Sequence, residues 1–224
     1  MKILVIVGGT SDPSNSETLA DAFIAGAAAA GAETDKVLLR TLSIDHFDIR
    51  CYAPDFRDEP DFAAVRAKIE AADGLVFAAP IWNFDIPANL KNLIDRCGEF
   101  SLDAERRTRG QWNDIPFYLI YTGGSPTPAW KGLLRTTMSS VKVSLQYFGG
   151  AHAGTHFEPR CTPGKGRFGL VVDQRPESLL KLTTQGNAFA ALVRRHVETG
   201  RLPLMITLKR RFYRLGQTIQ RKFF

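Results

Sequence analysis

Residues 2–19, KILVIVGGTSDPSNSETL, confine this chain to a narrow set of folds. Ile3 to Val7 are apolar and mostly β-branched with no polar alternation, the pattern of a strand buried on both faces of a parallel sheet. Gly8 and Gly9 let the backbone turn at the end of that strand. Thr10, Ser11, Ser14, Asn15, Ser16 and Thr18 then place short hydrogen-bonding side chains just ahead of a helical pattern carried by Leu19, Phe23, Ile24 and Ala27. Such a turn is a ready site for a phosphate, because unpaired amides and the positive end of the helix dipole both point at it. The same Ser and Asn residues also serve as ordinary helix caps.

Two familiar phosphate loops fail on inspection. The Walker loop needs Gly-Lys-Ser/Thr, and this stretch has no Lys after Lys2; the dinucleotide fingerprint needs a third glycine that is absent. A monophosphate loop built from hydroxyls remains, which points toward FMN instead of ATP or NAD.

At 224 residues, with 44% hydrophobic content, the chain is long enough to bury one sizeable core. No run is apolar over the roughly eighteen residues a membrane span requires, and the N-terminus enters a strand instead of a leader pattern, so a cytoplasmic protein is expected. Cys51, Cys97 and Cys161 lie far apart with no His at ligand spacing, which suits reduced structural thiols and no metal site. The net charge of +6 and pI near 9.4 would by themselves suggest nucleic acid. The distribution argues against it: residues 201–224 hold seven basic residues and no acid, leaving 22 basic and 23 acidic groups on the remaining 200.

A first helix is expected over Ser16–Ala30 and a second strand over Thr34–Leu39, followed by an irregular Thr41–Pro60 segment that reads either as a functional loop or lid or as a surface excursion. Pro60 opens a second helix with Phe62, Val65 and Ile69 on one face, and Leu75–Ala79 is a third strand. At its end PIWNFDIPANLKNLIDRC, residues 80–97, leads through Trp82, Asn83 and Phe84 into a helix with Leu90, Leu93 and Ile94 inward. Aromatic planes and an amide in that loop suit a flat heterocycle with imide edges, or else plug the core. Ile115–Tyr121 forms a fourth strand, and it too ends in small turn residues, Thr122-Gly123-Gly124-Ser125-Pro126. A helix near Trp130–Tyr147, a weaker strand over Ala151–Phe157 and a helix over Pro176–Glu198 complete five alternations. The expected fold is α/β, a doubly wound five-stranded parallel sheet of flavodoxin-like order 2-1-3-4-5, with ligands at the strands' carboxyl ends.

Residues 1–198 resemble the NAD(P)H-dependent FMN reductase family within the flavodoxin-like superfamily. The phosphate loop has the family's form from Gly9 to Ala20, and the family's P-x-Y-x-x-x-x-P-x-x-L-K-N-x-I-D-R motif is met by Pro80 to Arg96, with Trp82 in place of Tyr. The resemblance implies that Ser11, Ser16, Glu17 and Thr18 hold the FMN phosphate. It implies that Pro80, Ile81, Trp82, Asn83 and Phe84 line the flavin, with the Thr122, Gly123, Gly124 and Ser125 turn on its other edge. Glu17 stands where the family often has Asn, so its backbone N–H is expected to make the contact with the carboxylate turned to solvent. The single Cys51 after the second strand leaves no room for the iron–sulfur cluster of longer relatives.

The implied activity is an oxidoreductase passing hydride from NAD(P)H through FMN to a quinone, azo compound, flavin or similar acceptor. The alternative is a flavodoxin-type electron carrier, whose acidic surface this chain lacks. None of the four histidines has triad spacing, so no catalytic side chain is assigned. Arg160, Lys165 and Arg167 are candidates for a 2′-phosphate contact or simply a solvated loop. A homodimer is expected from the resemblance and from the apolar excess of Trp82, Phe84 and Ile86. Residues 1–200 are read as the FMN-binding domain and 201–224 as an extension. In that extension Met205, Leu208, Phe212, Leu215, Ile219 and Phe223 recur at helical spacing opposite Lys209, Arg210, Arg214, Gln217 and Arg221. Its apolar stripe would be covered by the body or a dimer mate, by an anionic membrane surface, or by an acidic protein.

Overall fold

The apolar runs assemble into one parallel sheet in the order β2-β1-β3-β4-β5, from β1 (Lys2–Val7), β2 (Glu33–Leu38), β3 (Gly74–Pro80), β4 (Pro116–Thr122) and β5 (Ala151–Glu158). This computed structural model describes residues 1–164 and 166–221, with side chains through 218. Lys165, Lys222 and Phe223, and the side chains of Ile219 and Arg221, lie outside the described residues. Among the described residues no helix is long and apolar enough to cross a membrane.

Alternate strand residues point to opposite faces, and each face buries its own core. On one side Leu4, Ile6, Leu75, Phe77 and Leu119 meet α2 (Pro60–Glu70), α3 (Ala88–Ser101) and α4 (Ser139–Tyr147). On the other, Val5, Val76, Ala78 and Ile120 meet α1 (Asn15–Ala29) and α5 (Pro176–Thr199). Helices α1 and α5 touch backbone to backbone: a Cβ on Gly26 would overlap the Thr183 carbonyl, and one on Gly186 would overlap that of Phe23. The helical stretch before β5 begins at Thr127 and passes through a π-helical turn, Trp130–Leu134, before α4.

The Thr41–Pro60 segment is held as a surface excursion and not poised as a lid. Asn92 of α3 accepts from the Phe47 amide at 2.7 Å and donates to the Asp45 carbonyl at 3.0 Å. Arg96, fully buried, donates to Asp45 O at 3.1 Å and to both Glu59 carboxylate oxygens at 2.9 and 3.1 Å, and lies 4.0 Å over the Phe62 ring. A buried guanidinium requires this degree of pairing.

The last helix, α6 (Leu204–Arg221), follows Gly200, whose φ of 64° ends α5 in the left-handed conformation that glycine adopts freely. Of the covers considered for its apolar stripe, the chain's own body is not the one used. Arg210 is buried and Arg214 is drawn to Asp114, whereas Met205, Leu208, Phe212 and Leu215 face outward. The body does not cover the described part of the apolar stripe, because Asp114 and the carbonyls of Gln146 and Gly149 hold the polar side inward.

Candidate active site

Parallel register brings the carboxyl ends of the middle strands to one edge: Val7 pairs with Ala78, and Pro80 with Thr122. The three polar turns read from the sequence therefore converge on one cleft. It is lined by Ser11, Ser14, Asn15, Ser16, Pro80, Ile81, Trp82, Thr122, Gly123 and Gly124, together with Cys161, Thr162, Phe168 and Gly169 from the β5–α5 connection.

At the start of α1, Ser14 is the N-cap, accepting from the Glu17 amide at 3.5 Å, and its hydroxyl lies 3.0 Å from that of Ser16. Both serines are buried. Gly9 faces them, and a Cβ there would sit 2.5 and 2.6 Å from the two hydroxyl oxygens. Only glycine leaves this pocket of hydroxyls open. The amides of the first helical turn have no intrahelical acceptor, so the cradle offers neutral donors to an oxyanion. A phosphate monoester fits that donor set.

Thr18 turns its hydroxyl elsewhere, and the Glu17 carboxylate points away from the loop as expected but into a pair of cations. Thr18 stands one turn inside α1 and donates its hydroxyl to the Ser14 carbonyl at 3.0 Å. The Glu17 carboxylate is not in solvent: it accepts from Lys36 at 3.0 Å and Arg40 at 2.6 Å and is largely buried. Burial acts to raise its pKa, but the hydrogen bonds and charges of Lys36 and Arg40 prevail and hold it below the usual carboxylate value. Repulsion toward an anion in the loop is thereby offset at the source, by cations from β2 and the turn after it.

In the second loop, Trp82 to Asp85 form a tight turn closed by Trp82 N to Asp85 O at 2.8 Å and Asp85 N to Trp82 O at 2.9 Å, with φ of 49° at Asn83 and 69° at Phe84. Pro80, Ile81 and Trp82 face the cleft, while Asn83 and Phe84 form the exposed tip. Ile86, counted above among the exposed apolar residues, is buried in the chain's own core. In the third loop Ser125 lies outside the cleft, its carbonyl accepting from the Arg160 amide at 3.2 Å.

The fourth wall is made by Cys161, Thr162, Phe168 and Gly169, from the segment in which the sequence offers only Arg160, Lys165 and Arg167 as a 2′-phosphate contact or a solvated loop. Asn15 holds it: its side chain donates to Gly169 O at 2.8 Å and accepts from the Val171 and Val172 amides at 2.9 and 3.1 Å. Phe168 packs on Trp82 with ring centroids 5.1 Å apart. Below, buried Glu158 accepts from His156 at 3.1 Å, Arg175 at 2.8 Å and Ser178 at 3.0 Å, and Arg175 also reaches the carbonyls of Pro159 and Arg160. His156 is thus occupied in supporting the wall. Burial pushes the Cys161 thiol up to about 11, so it faces the cleft uncharged. Arg160 and Arg167 border the same connection, with Arg167 exposed.

The profile of the NADPH-dependent FMN reductase family matches residues 1–147. YwqN of Bacillus subtilis (strain 168), a candidate NAD(P)H-dependent FMN-containing oxidoreductase, is 29% identical over 135 residues, which cover 59% of this chain and 72% of that protein. An NADPH:quinone oxidoreductase of Arabidopsis thaliana is 40% identical over 65 residues, 29% of each chain. Among solved structures, the NAD(P)H:quinone oxidoreductase from Methanothermobacter marburgensis superposes with a TM-score of 0.67 at 19% identity, over 84% of this chain and 96% of that one. At that identity the superposition establishes the flavodoxin-like fold. The family profile, spanning the phosphate cradle, the Pro80–Arg96 motif and the turn after β4, shows that the chain belongs to the NADPH-dependent FMN reductase family.

Proposed function

We propose that this protein is an FMN-dependent NAD(P)H oxidoreductase acting on a quinone, azo compound, flavin or similar small acceptor, with the cleft at the strands' carboxyl ends as its active site. The observation that carries the reading is the open cradle of Ser14 and Ser16 hydroxyls opposite Gly9, set beside Trp82 and the Gly123–Gly124 turn. FMN supplies the redox chemistry when bound, relaying the two electrons of NAD(P)H to the acceptor. Ser11, Ser14, Ser16 and the first amides of α1 hold the phosphate. Pro80, Ile81 and Trp82 flank the ring, and Gly123 and Gly124 let the backbone approach its edge. Lys36 and Arg40 keep the Glu17 charge from opposing the phosphate. Buried free thiols at Cys51, Cys97 and Cys161 go with a cytoplasmic setting. The exposed aromatics at the mouth support a homodimer that covers it, with residues 201–224 as an extension to the FMN-binding domain.

The test is a comparison of variants. Ser14→Ala with Ser16→Ala removes hydrogen bonds to a charged group, worth about 1–3 kcal/mol each, so FMN should bind at least tenfold more weakly. Thr18→Ala should bind as the wild type does. Anaerobic NADPH should bleach the bound flavin of the wild type within the turnover time. If both variants retain FMN equally, or NADPH and NADH leave the flavin oxidised, the assignment is wrong.

A further inference from the structure

Helix α6 meets the body through its polar side. Arg210, 4% exposed, donates to Asp114 at 2.7 Å and to the carbonyls of Gln146 at 3.0 Å and Gly149 at 2.9 Å. Arg214 reaches the other Asp114 oxygen at 2.8 Å, and Tyr213 donates to the Val143 carbonyl at 3.2 Å. With 3.6 residues per turn, Ile206, Arg210, Tyr213 and Gln217 share this inner arc. Leu204, Met205, Leu208, Phe212 and Leu215 share an arc of about 100° on nearly the opposite side, and all five are exposed, Phe212 by 73%. Lys209 and Arg211 fall on the two edges of that apolar arc, both in solvent. The usual surface helix turns its apolar stripe to the core; this one is fastened by buried polar groups so that the stripe points away.

We propose that this outward face of α6 docks the protein on an anionic lipid bilayer surface. Charge complementarity selects that occupant. Residues 201–224 contain no Asp or Glu, and the exposed cations Lys209 and Arg211 bracket the apolar arc, the arrangement that lets acyl chains receive Leu, Met and Phe while basic groups meet lipid phosphates. A second copy applied through the same face would set Lys209 and Arg211 of each chain against those of the other with no acid from this segment to relieve them, a like-charge juxtaposition that opposes association. A single convex helix face also needs no complementary groove on a fluid surface. The docking of Arg210 and Arg214 on Asp114 orients the helix with the whole domain behind it, leaving the active-site cleft, at the carboxyl ends of the strands, outside the contact.

The experiment uses the full-length holoprotein with sedimenting vesicles of phosphatidylcholine alone or mixed with phosphatidylglycerol, at low and high salt. The protein should sediment with the mixed vesicles at low salt, about tenfold or more weakly with phosphatidylcholine alone, and weaken as salt screens the cations. Phe212→Ser with Leu215→Ser should lower binding to mixed vesicles more than tenfold while FMN content and NADPH oxidation in solution stay unchanged, since both side chains are exposed and lie away from the cleft. Lys209→Gln with Arg211→Gln should remove most of the salt dependence and keep the same activity. Wild-type protein that ignores mixed vesicles at low salt overturns the proposal. So does a Phe212→Ser, Leu215→Ser variant that binds them undiminished, or one whose only change is a smaller particle mass by light scattering, which would assign the face to a second copy.

Discussion

Glu17 carries the least expected chemistry of the phosphate loop. A carboxylate one residue past Ser16 should repel an oxyanion, yet its hydrogen bonds to Lys36 and Arg40 turn it into the anchor that ties α1 to β2 and the following turn. Because its pKa in the folded protein lies below the ordinary value of 4.5, its contribution to stability is fully present above that ordinary value and is lost as pH falls through the depressed one. Glu17→Gln should therefore destabilise the protein at pH 7 by about 1–2 kcal/mol, the scale of hydrogen bonds to charged groups near a surface. Melting curves from pH 7 down to pH 3 should show the gap between wild type and variant closing below about pH 4.5. A gap that stays constant through that window would mean the ion pair is not what Glu17 contributes. At this scale the sequence displayed the hydroxyls, the glycine and the missing Lys. It did not display the partners, because Lys36 and Arg40 reach Glu17 only once β2 lies beside β1.

Elements were legible where one period ran uninterrupted. The apolar runs of β1, β3 and β4 were readable within a residue of their ends, since burial on both sides of a parallel sheet leaves little room for polar residues in the strand, and the inward faces of α2 and α3 were readable although their carboxyl ends were not. Two features needed the assembled fold. The Pro80–Arg96 motif showed its loop, Pro80 to Phe84, and the apolar face of its helix, but not that Asn92 and Arg96 hold the 41–60 excursion, so half of the motif works on the fold and half on the cleft. Gly26 and Gly186, each inside a helix where glycine is unfavourable, make sense only at the α1–α5 crossing. Gly186→Ala adds a single methyl, favoured in any isolated helix, that would overlap the Phe23 carbonyl. It should destabilise the protein by about 3 kcal/mol, toward the upper end for overpacking, as read from the denaturant midpoint at unchanged slope. A variant as stable as the wild type would show that the two helices can separate at little cost.

Across the whole molecule, the order of strands decides where the chemistry lies, and the exposed aromatics decide what must cover it. Trp82, Phe84 and Phe168 stand at the mouth of the cleft, Phe84 57% and Phe168 70% exposed, a concentration of aromatic surface of the kind that marks a contact site. Phe84 also occupies a left-handed backbone position at φ 69°, which disfavours a side chain branching into a ring and costs on the order of 1 kcal/mol. In the proposed homodimer a two-fold interface would set that tip against the mouth of the partner's cleft. Phe84→Asn separates the two effects, because Asn tolerates the left-handed conformation but offers no ring. The variant should melt no lower than wild type when both are measured as monomers at high dilution, while light scattering at micromolar concentration should show the dimer mass falling toward that of one chain and NADPH turnover should fall with it. An undiminished dimer with full turnover would remove the tip of the second loop from the active site and leave each cleft to work alone.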